Sequence, residues 1–222
     1  MRMTADQLFT LLRTGTVDTL YITLVSTLFA YILGMPLAFL LVITRKDHIA
    51  PHPILHGIME TIVNLLRSVP FLILMVAVIP VTRMVVGIAI GNTATIVPLV
   101  IAAFPFVART VEASLLEVDR GVIEAAQAMG STNFQIMRKV MLREAVPGLV
   151  YGAAMATTNI LGYSAMSGAV GGTGLGNAAI QYGHHRGELT VLYACVIILV
   201  LLVQIIQLVG ALVSRMVDHR LK

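Results

Sequence analysis

The polar residues with the most suggestive spacing in this chain are Glu60, Asn64 and Arg67, which recur at i, i+4 and i+7. This spacing places a carboxylate, an amide and a guanidinium on one face of a helix. In an apolar environment such groups are costly unless they are paired. The stripe therefore predicts one of two arrangements. Either the charged heads reach the membrane surface along their aliphatic stems, or the stripe faces a partner subunit or a pathway.

Other chemical signals are weaker. His48, His52 and His56 have the helical spacing of metal ligands, but two prolines between His48 and His56 interrupt the helix that the spacing requires. The glycines in residues 172–176 lack the spacing of a dinucleotide-binding fingerprint. Cys195 is the only cysteine, so one chain can form neither an internal disulfide nor a thiolate cluster. We expect no catalytic site, no metal and no cofactor in this chain.

The elements that must position these residues are predicted from composition. Hydrophobic residues make up 58% of the 222 residues and charged residues 12%, which is typical of an integral membrane protein. Several windows are free of charge over the roughly 20 residues that cross a bilayer, whereas one span must contain Arg67. We predict an all-α, multi-pass protein with one domain, 1–222, and five transmembrane helices. The predicted spans are 20–43, 58–82, 88–108, 147–167 and 189–213, with a glycine-rich external loop after the fourth.

The basic residues predict the orientation, because cytoplasmic segments carry an excess of Lys and Arg. With the N-terminus outside, leaving Arg67 aside, ten basic residues lie inside and four outside. The inner ones are Arg45, Lys46, Arg109, Arg120, Arg138, Lys139, Arg143, Arg215, Arg220 and Lys222, and the outer ones are Arg2, Arg13, Arg83 and Arg186. The C-terminus and the loop 109–146 are therefore expected in the cytoplasm. This bias also accounts for the net charge of +4 without nucleic acid.

The loop 109–146 carries the strongest capping signals. Asp119 is a suitable N-cap for a helix through Met129, and Gly130 can adopt the left-handed conformation that ends it. Thr132 followed by Gln135 is the pattern of a capping box. We predict two short helices that meet at Gly130.

The second of these helices is predicted to be amphipathic. Phe134, Met137 and Met141 recur at helical spacing and form an apolar stripe, which Arg138 and Lys139 flank. Composition alone favours a hairpin that lies on lipid headgroups. The alternative is a docking element for a soluble partner.

A known pattern favours docking. Glu124-Ala125-Ala126 is followed after three residues by Gly130, and after nine more by Val140, any residue and Leu142. On these residues the chain resembles the membrane subunits of bacterial ABC importers, although Arg143 stands where that pattern has proline. The segments 67–71, 125–130 and 163–166 look like those of methionine importer permeases.

The resemblance implies a subunit of the bacterial inner membrane that works as a homodimer. Its partners would be two copies of a cytoplasmic ATPase, which hold ATP and Mg²⁺, and an external or periplasmic binding protein; methionine would be the cargo. The implied ATPase-coupling residues are Glu124, Ala125, Ala126, Gly130, Thr132 and Phe134. The implied residues of the translocation pathway and gate are Tyr163, Ser164 and Met166.

Three alternatives remain open from the sequence. An ABC permease for another amino acid or small polar solute would share all of these features. An intramembrane enzyme would need converging catalytic groups at membrane depth, which the predicted spans do not offer. An ion-coupled secondary transporter would normally show intramembrane carboxylates or inverted repeats, and the chain has no clear repeat.

Overall fold

The computed structural model describes residues 4–218, and these residues contain helices and connecting turns but no β-strand. The helices in chain order are α1 (Ala5–Thr44), α2 (Pro53–Ser68), α3 (Phe71–Ala77), α4 (Ile79–Val86), α5 (Asn92–Leu116), α6 (Arg120–Ala128), α7 (Asn133–Gln135), α8 (Leu142–Glu144), α9 (Val146–Ser167), α10 (Leu175–Ala178) and α11 (Leu189–Val217). A π-helical stretch, Ile136–Met141, joins α7 to α8, and another, Ala179–His185, follows α10.

Three described helices, α1, α5 and α11, are long and apolar enough to cross a membrane, and α2 with α3 forms a fourth candidate if the bent pair is one span. These findings agree with the prediction of a helical membrane protein. The fourth predicted span, 147–167, coincides with α9, which has 22 residues and no charged side chain. Helix α9 is not among the candidate spans because polar residues such as Thr157, Thr158 and Asn159 lower its hydropathy.

The predicted span 58–82 is not one continuous helix. Helix α2 begins earlier, at Pro53, and ends at Ser68, and α3 leaves it at an angle of 101°. The cause is Pro70, which has no N–H to donate and which disfavours helical geometry at the preceding residue. The Pro70 carbonyl instead accepts N–H bonds of 3.0 Å from Ile73 and Leu74, which start α3.

Other predicted segments also change, and helix α1 begins at Ala5, well before the predicted span 20–43. Helix α5 continues to Leu116, so residues 109–116 belong to it and not to the loop, because Arg109 and Glu112 pair at i, i+3 and do not interrupt the helix. The predicted glycine-rich loop is mostly helical: a 3₁₀ turn at Gly168–Val170 precedes α10 and its π-helical continuation.

The described residues form two compact units. The first comprises the described residues up to Phe29, with Val69–Ala103 and Thr157–Gln207. One apolar cluster in it centres on Ile22, Leu99 and Phe71, and another on Leu175 and Cys195.

The second unit comprises Ala30–Ser68, Phe104–Ala156 and the described residues from Leu208. Leu41 of α1 packs there against Met59 and Val63 of α2. Helices α1 and α5 approach closely at Gly34, where a Cβ would lie only 2.8 Å from the carbonyl oxygen of Phe104.

Candidate functional site

The candidate site is the hairpin of residues 119–145, which lies in the second unit. Its first arm, α6, begins at Asp119, whose carboxylate accepts the Gly121 N–H at 2.7 Å. The arm ends at Gly130, which has a left-handed φ of 78°, and the Ser131 N–H returns to the Ala126 carbonyl at 3.1 Å. These contacts satisfy helix-end groups that would otherwise need water or a partner. The predicted cap and the predicted turn are confirmed.

The second arm begins with the predicted capping box, which is also confirmed. The Thr132 hydroxyl accepts the Gln135 N–H at 3.3 Å, and the Gln135 side chain accepts the Thr132 N–H at 2.9 Å. Beyond this cap the chain is π-helical from Ile136 to Met141 and then reaches Glu144. The helical conformation therefore passes Arg143, where the importer pattern has proline.

The structure divides the predicted apolar stripe of the second arm, because Phe134 and Met141 differ in exposure. Met141 is fully buried, but Phe134 is 61% exposed, and the other fully buried residue is Ile136. In a π-helix residues at i and i+5 align, so Ile136 and Met141 share the inner side. The prediction assumed the 3.6-residue period of an α-helix, and the sequence contains no signal that predicts the wider π-helical turn.

The first arm also has two distinct sides. Ile123 and Ala126 are buried, and Ala126 is only 3% exposed, so this predicted coupling residue serves internal packing. The opposite side is exposed, as is the turn. We call this surface the outer face of the hairpin; it consists of Val122, Glu124, Ala125, Met129, Gly130 and Phe134. Met129, at 79%, is the most exposed of its large apolar side chains.

A small crevice of about 110 Å³ lies between residues 47–49 and α6, and its walls include His48, Arg120 and Glu124. Burial lowers the pKa of His48 below its usual 6.5, and the positive charges of Arg120 and Arg45 lower it further. The Nδ1 atom of His48 is buried and has no hydrogen-bond partner among the described residues. A neutral imidazole at this position therefore packs against the base of α6.

The three histidines do not converge. Nδ1 of His52 accepts the Leu55 N–H at 3.3 Å, whereas Nδ1 of His56 lies 3.0 Å from the Leu41 carbonyl oxygen. Within residues 4–218 no group of three or more His, Cys, Asp or Glu side chains could hold a metal ion.

The structure divides the predicted polar stripe. Glu60 and Asn64 both accept from the Arg109 guanidinium, at 3.2 and 3.0 Å, and Arg109 also donates to the buried Glu112 at 2.8 Å. Arg67 is exposed and makes no hydrogen bond or ion pair with any described residue. Sequence analysis missed Arg109 because it placed this residue in the loop. The i, i+3 spacing of Arg109 and Glu112 was the available signal.

The predicted pathway residues fall in the first unit and are not equivalent. The Tyr163 ring stacks on Phe71, with centroids 4.7 Å apart and planes 13° from parallel. The buried Ser164 hydroxyl donates to the Leu161 carbonyl at 2.8 Å. Met166 is 43% exposed. Only Met166 of the three presents a substantial surface.

Long apolar helices joined by a self-capped polar hairpin define a helical membrane protein. Residues 30–222 match the family model of binding-protein-dependent transport system inner membrane components. The chain belongs to this family. It is accordingly a membrane component of a transport system and not an enzyme.

Relatives are similar over most of the chain. A protein of Vibrio cholerae serotype O1, named probable D-methionine transport system permease protein, is 49% identical over 95% of this chain and 93% of its own length. The protein of Escherichia coli strain K12 named D-methionine transport system permease protein is 47% identical over 74% of this chain and 76% of its own.

Solved structures are also similar. The chain matches one described as an inward-facing conformation of the MetNI methionine ABC transporter, with a TM-score of 0.95 and 45% identity over 98% of this chain and 100% of that one. An amino acid ABC transporter matches with a TM-score of 0.71 but only 21% identity, over 96% of this chain and 94% of that one. The second match concerns the fold alone.

Proposed function

We propose that this chain is the permease subunit of an ATP-driven importer for methionine, in which two copies form the translocation pathway and two separate ATPase subunits supply the energy. The observation that carries this proposal is the outer face of the hairpin. Its arms satisfy their own helix ends, yet apolar side chains such as Met129 and Phe134 remain exposed. An exposed apolar surface with a polar surround is typical of a site that another protein or a membrane covers. The match to the importer pattern around Glu124 favours a protein.

The proposed topology has five spans, with the N-terminus outside and the C-terminus and hairpin in the cytoplasm. Helices α1, α5, α9 and α11 supply four of them, and the bent pair of α2 and α3, with α4, supplies the other. The excess of basic residues in the segments assigned to the cytoplasm supports this orientation. ATP and Mg²⁺ would bind to the partner ATPase and not to this chain.

The predicted coupling residues have different proposed roles. Glu124, Ala125 and Phe134 contact the ATPase directly, since all three are exposed. Ala126, Gly130 and Thr132 act indirectly, because they pack, turn and cap the hairpin that presents those contacts. The hairpin transmits a movement of the ATPase to α5, which precedes it in the chain, and to α9, which follows it.

Met166 is the best candidate for the gate, because its flexible apolar side chain is exposed whereas Tyr163 and Ser164 are engaged internally. In a dimer, two copies of Met166 would close the pathway as an apolar plug. An external binding protein would select the cargo. The names of the similar permeases support methionine, and the alternative is another amino acid or small polar solute.

Reconstitution tests the proposal. The tagged chain is co-expressed with its ATPase, purified in mild detergent and placed in vesicles with the binding protein and labelled methionine. We expect ATP-dependent uptake, and loss of ATPase retention or of uptake in Glu124→Lys. The matched control is Asp6→Lys, which reverses an exposed carboxylate near the start of α1. Uptake without ATP, or equal behaviour of the two variants, would exclude the proposed coupling.

A further inference from the structure

A groove of about 460 Å³ lies in the second unit between the end of α5, the start of α9 and the end of α11. Its volume falls in the roughly 300–1,000 Å³ range of small-molecule sites. Phe106, Tyr151 and Met155 supply apolar walls. Among the described residues, Glu117 supplies the only carboxylate of the lining, and no Lys, Arg or His side chain belongs to it. The groove is therefore apolar with one negative charge.

The Ser and Thr hydroxyl groups of the groove offer acceptors and not donors. Thr110 and Ser114 on α5 donate to the carbonyls of Phe106 and Thr110, at 3.0 and 3.1 Å, and Ser214 on α11 donates to the Pro147 carbonyl at 2.8 Å. Since each hydroxyl has a single proton, these groups present lone pairs to anything else. An ammonium group, which has three donors and no acceptor, matches such a lining.

Glu117 has no competing partner. It is exposed, and it makes no hydrogen bond or ion pair with any residue in 4–218. A Cβ at Gly148 would lie 3.5 Å from its Oε2 atom, so the carboxylate borders the groove at the first turn of α9. The Tyr151 hydroxyl, which has no hydrogen bond with a described residue either, can donate to a carboxylate.

We propose that this groove is a binding site for a small zwitterion with an apolar side chain, whose ammonium group pairs with Glu117 and whose carboxylate accepts from Tyr151. The inference rests on the proposed function, in which such a zwitterion is the cargo. Phe106 and Met155 would contact its apolar part. Pairing of a carboxylate with an ammonium gives a charge-assisted hydrogen bond, which is stronger than a neutral one.

The position of the groove connects it to the hairpin. Glu117 lies two residues before the cap Asp119, and Pro147 lies two residues after the hairpin ends at residue 145. Both stems of the hairpin thus form walls of the groove. A movement of the hairpin changes the distance between these walls, so an ATPase that moves the hairpin also changes affinity in the groove.

Protection of an introduced thiol tests this site in the complete transporter, assembled in phospholipid nanodiscs. Cys195→Ala removes the native thiol, and Met155→Cys or, in parallel, Ala113→Cys places a probe in the groove. The rate of maleimide labelling is measured in the presence of each of three solutes. These are methionine, 3-(methylthio)propylamine, which lacks the carboxylate, and 4-(methylthio)butanoate, which lacks the amine. Met216→Cys, at the exposed end of α11, is the control thiol.

We expect methionine and the amine to slow labelling in the groove, the acid to have no effect, and the control thiol to be unaffected. Glu117→Gln should raise the half-protective concentration of methionine roughly tenfold, or about 1.4 kcal/mol, whereas Asp6→Asn should not change it.

The proposal would be overturned if 4-(methylthio)butanoate protected the groove thiol as well as methionine does, or if methionine gave no protection. A groove thiol that is unreactive before any solute is added would instead mean that lipid or a second copy covers the groove, which also overturns it. ATP-driven uptake by the parent transporter is measured after the same purified complex is reconstituted into closed phospholipid vesicles. Its presence without protection refutes this site alone, and its absence refutes the proposed function.

Discussion

The hairpin and the glycine-rich segment that begins at Gly168 use glycine in opposite ways. At Gly130 a Cβ would meet no atom within 4 Å, and glycine is needed for its left-handed φ of 78°. At Gly176 a Cβ would collide with the backbone of Ala165, and at Gly168 with the backbone of Asn177. The first glycine shapes an open turn, whereas the other two permit backbone-to-backbone packing.

The surroundings show the same contrast. The outer face of the hairpin is exposed, whereas Leu175 and Ala178 of α10 are buried in the first unit. The Leu175 N–H donates to the Thr19 hydroxyl at 2.9 Å, and that hydroxyl donates to the Gly15 carbonyl at 2.8 Å. The glycine-rich segment is therefore packed within the chain. The hairpin is folded but its outer face is uncovered, which is the property expected of a docking element.

Substitution of the two kinds of glycine should have the largest effect. Gly176→Val should lower the free energy of unfolding by more than about 4 kcal/mol, because the collision involves backbone that cannot rotate away. Gly130→Ala should cost only about 1–2 kcal/mol, the cost of a left-handed Cβ. Thermal unfolding in detergent measures both. A larger loss for Gly130→Ala than for Gly176→Val would reverse the comparison.

Arg109 and its acceptors Glu60, Asn64 and Glu112 form a polar cluster, which should behave as part of the packed fold. Arg109→Met leaves the Glu112 carboxylate, whose side chain is 7% exposed, without its cation, and should cost about 3 kcal/mol. Adding Glu112→Leu should restore most of this stability. The exposed Arg67→Met should change unfolding by no more than about 0.5 kcal/mol. If Arg109→Met is as mild as Arg67→Met, the cluster does not stabilise the fold.

The capping box of the hairpin should contribute locally. Thr132→Ala removes the acceptor of the Gln135 N–H and should cost about 1 kcal/mol. Hydrogen exchange should therefore accelerate in residues 132–141. The exchange rates of the glycine-rich segment should stay unchanged. Faster exchange in α10 would show that the segments are not independent.

The smallest expected effect is a pH dependence at His48. Its pKa is lower in the folded state than the usual 6.5, so the folded state binds fewer protons than the unfolded state. Stability from this group is complete above about pH 6.5 and decreases as the pH falls below that value. The hydrogen-exchange protection factors of α6, which are corrected for the slower intrinsic exchange at low pH, should fall on acidification in the parent and fall less in His48→Gln. An identical pH response in both would remove His48 as the cause.

The hairpin was the most predictable part of the chain, because its signals are local. Asp119, Gly130, Thr132 and Gln135 act within a few residues of themselves, and all four adopt the predicted conformations. Apolar windows likewise located α1, α5 and α11. These features depend on hydrogen-bond geometry and burial that neighbouring residues determine.

The remaining features depend on contacts distant in sequence. The partners of Arg109 on α2 lie 45 and 49 residues away, and the packing of Gly176 against Ala165 requires the chain to reverse between them. The bend at Pro70 followed a recognisable signal, but its 101° angle did not. The π-helical turn that contains the buried residues Ile136 and Met141 had no sequence signal at all.

Cross-linking from Met129 tests the central claim most directly, namely that a separate ATPase covers the outer face of the hairpin. Met129→Cys in a Cys195→Ala background carries a photoactivated cross-linker at the most exposed large apolar side chain of that face. We predict a specific adduct with the ATPase subunit whose yield changes when ATP is added. An adduct with lipid or with the external binding protein, and none with the ATPase, would contradict the account.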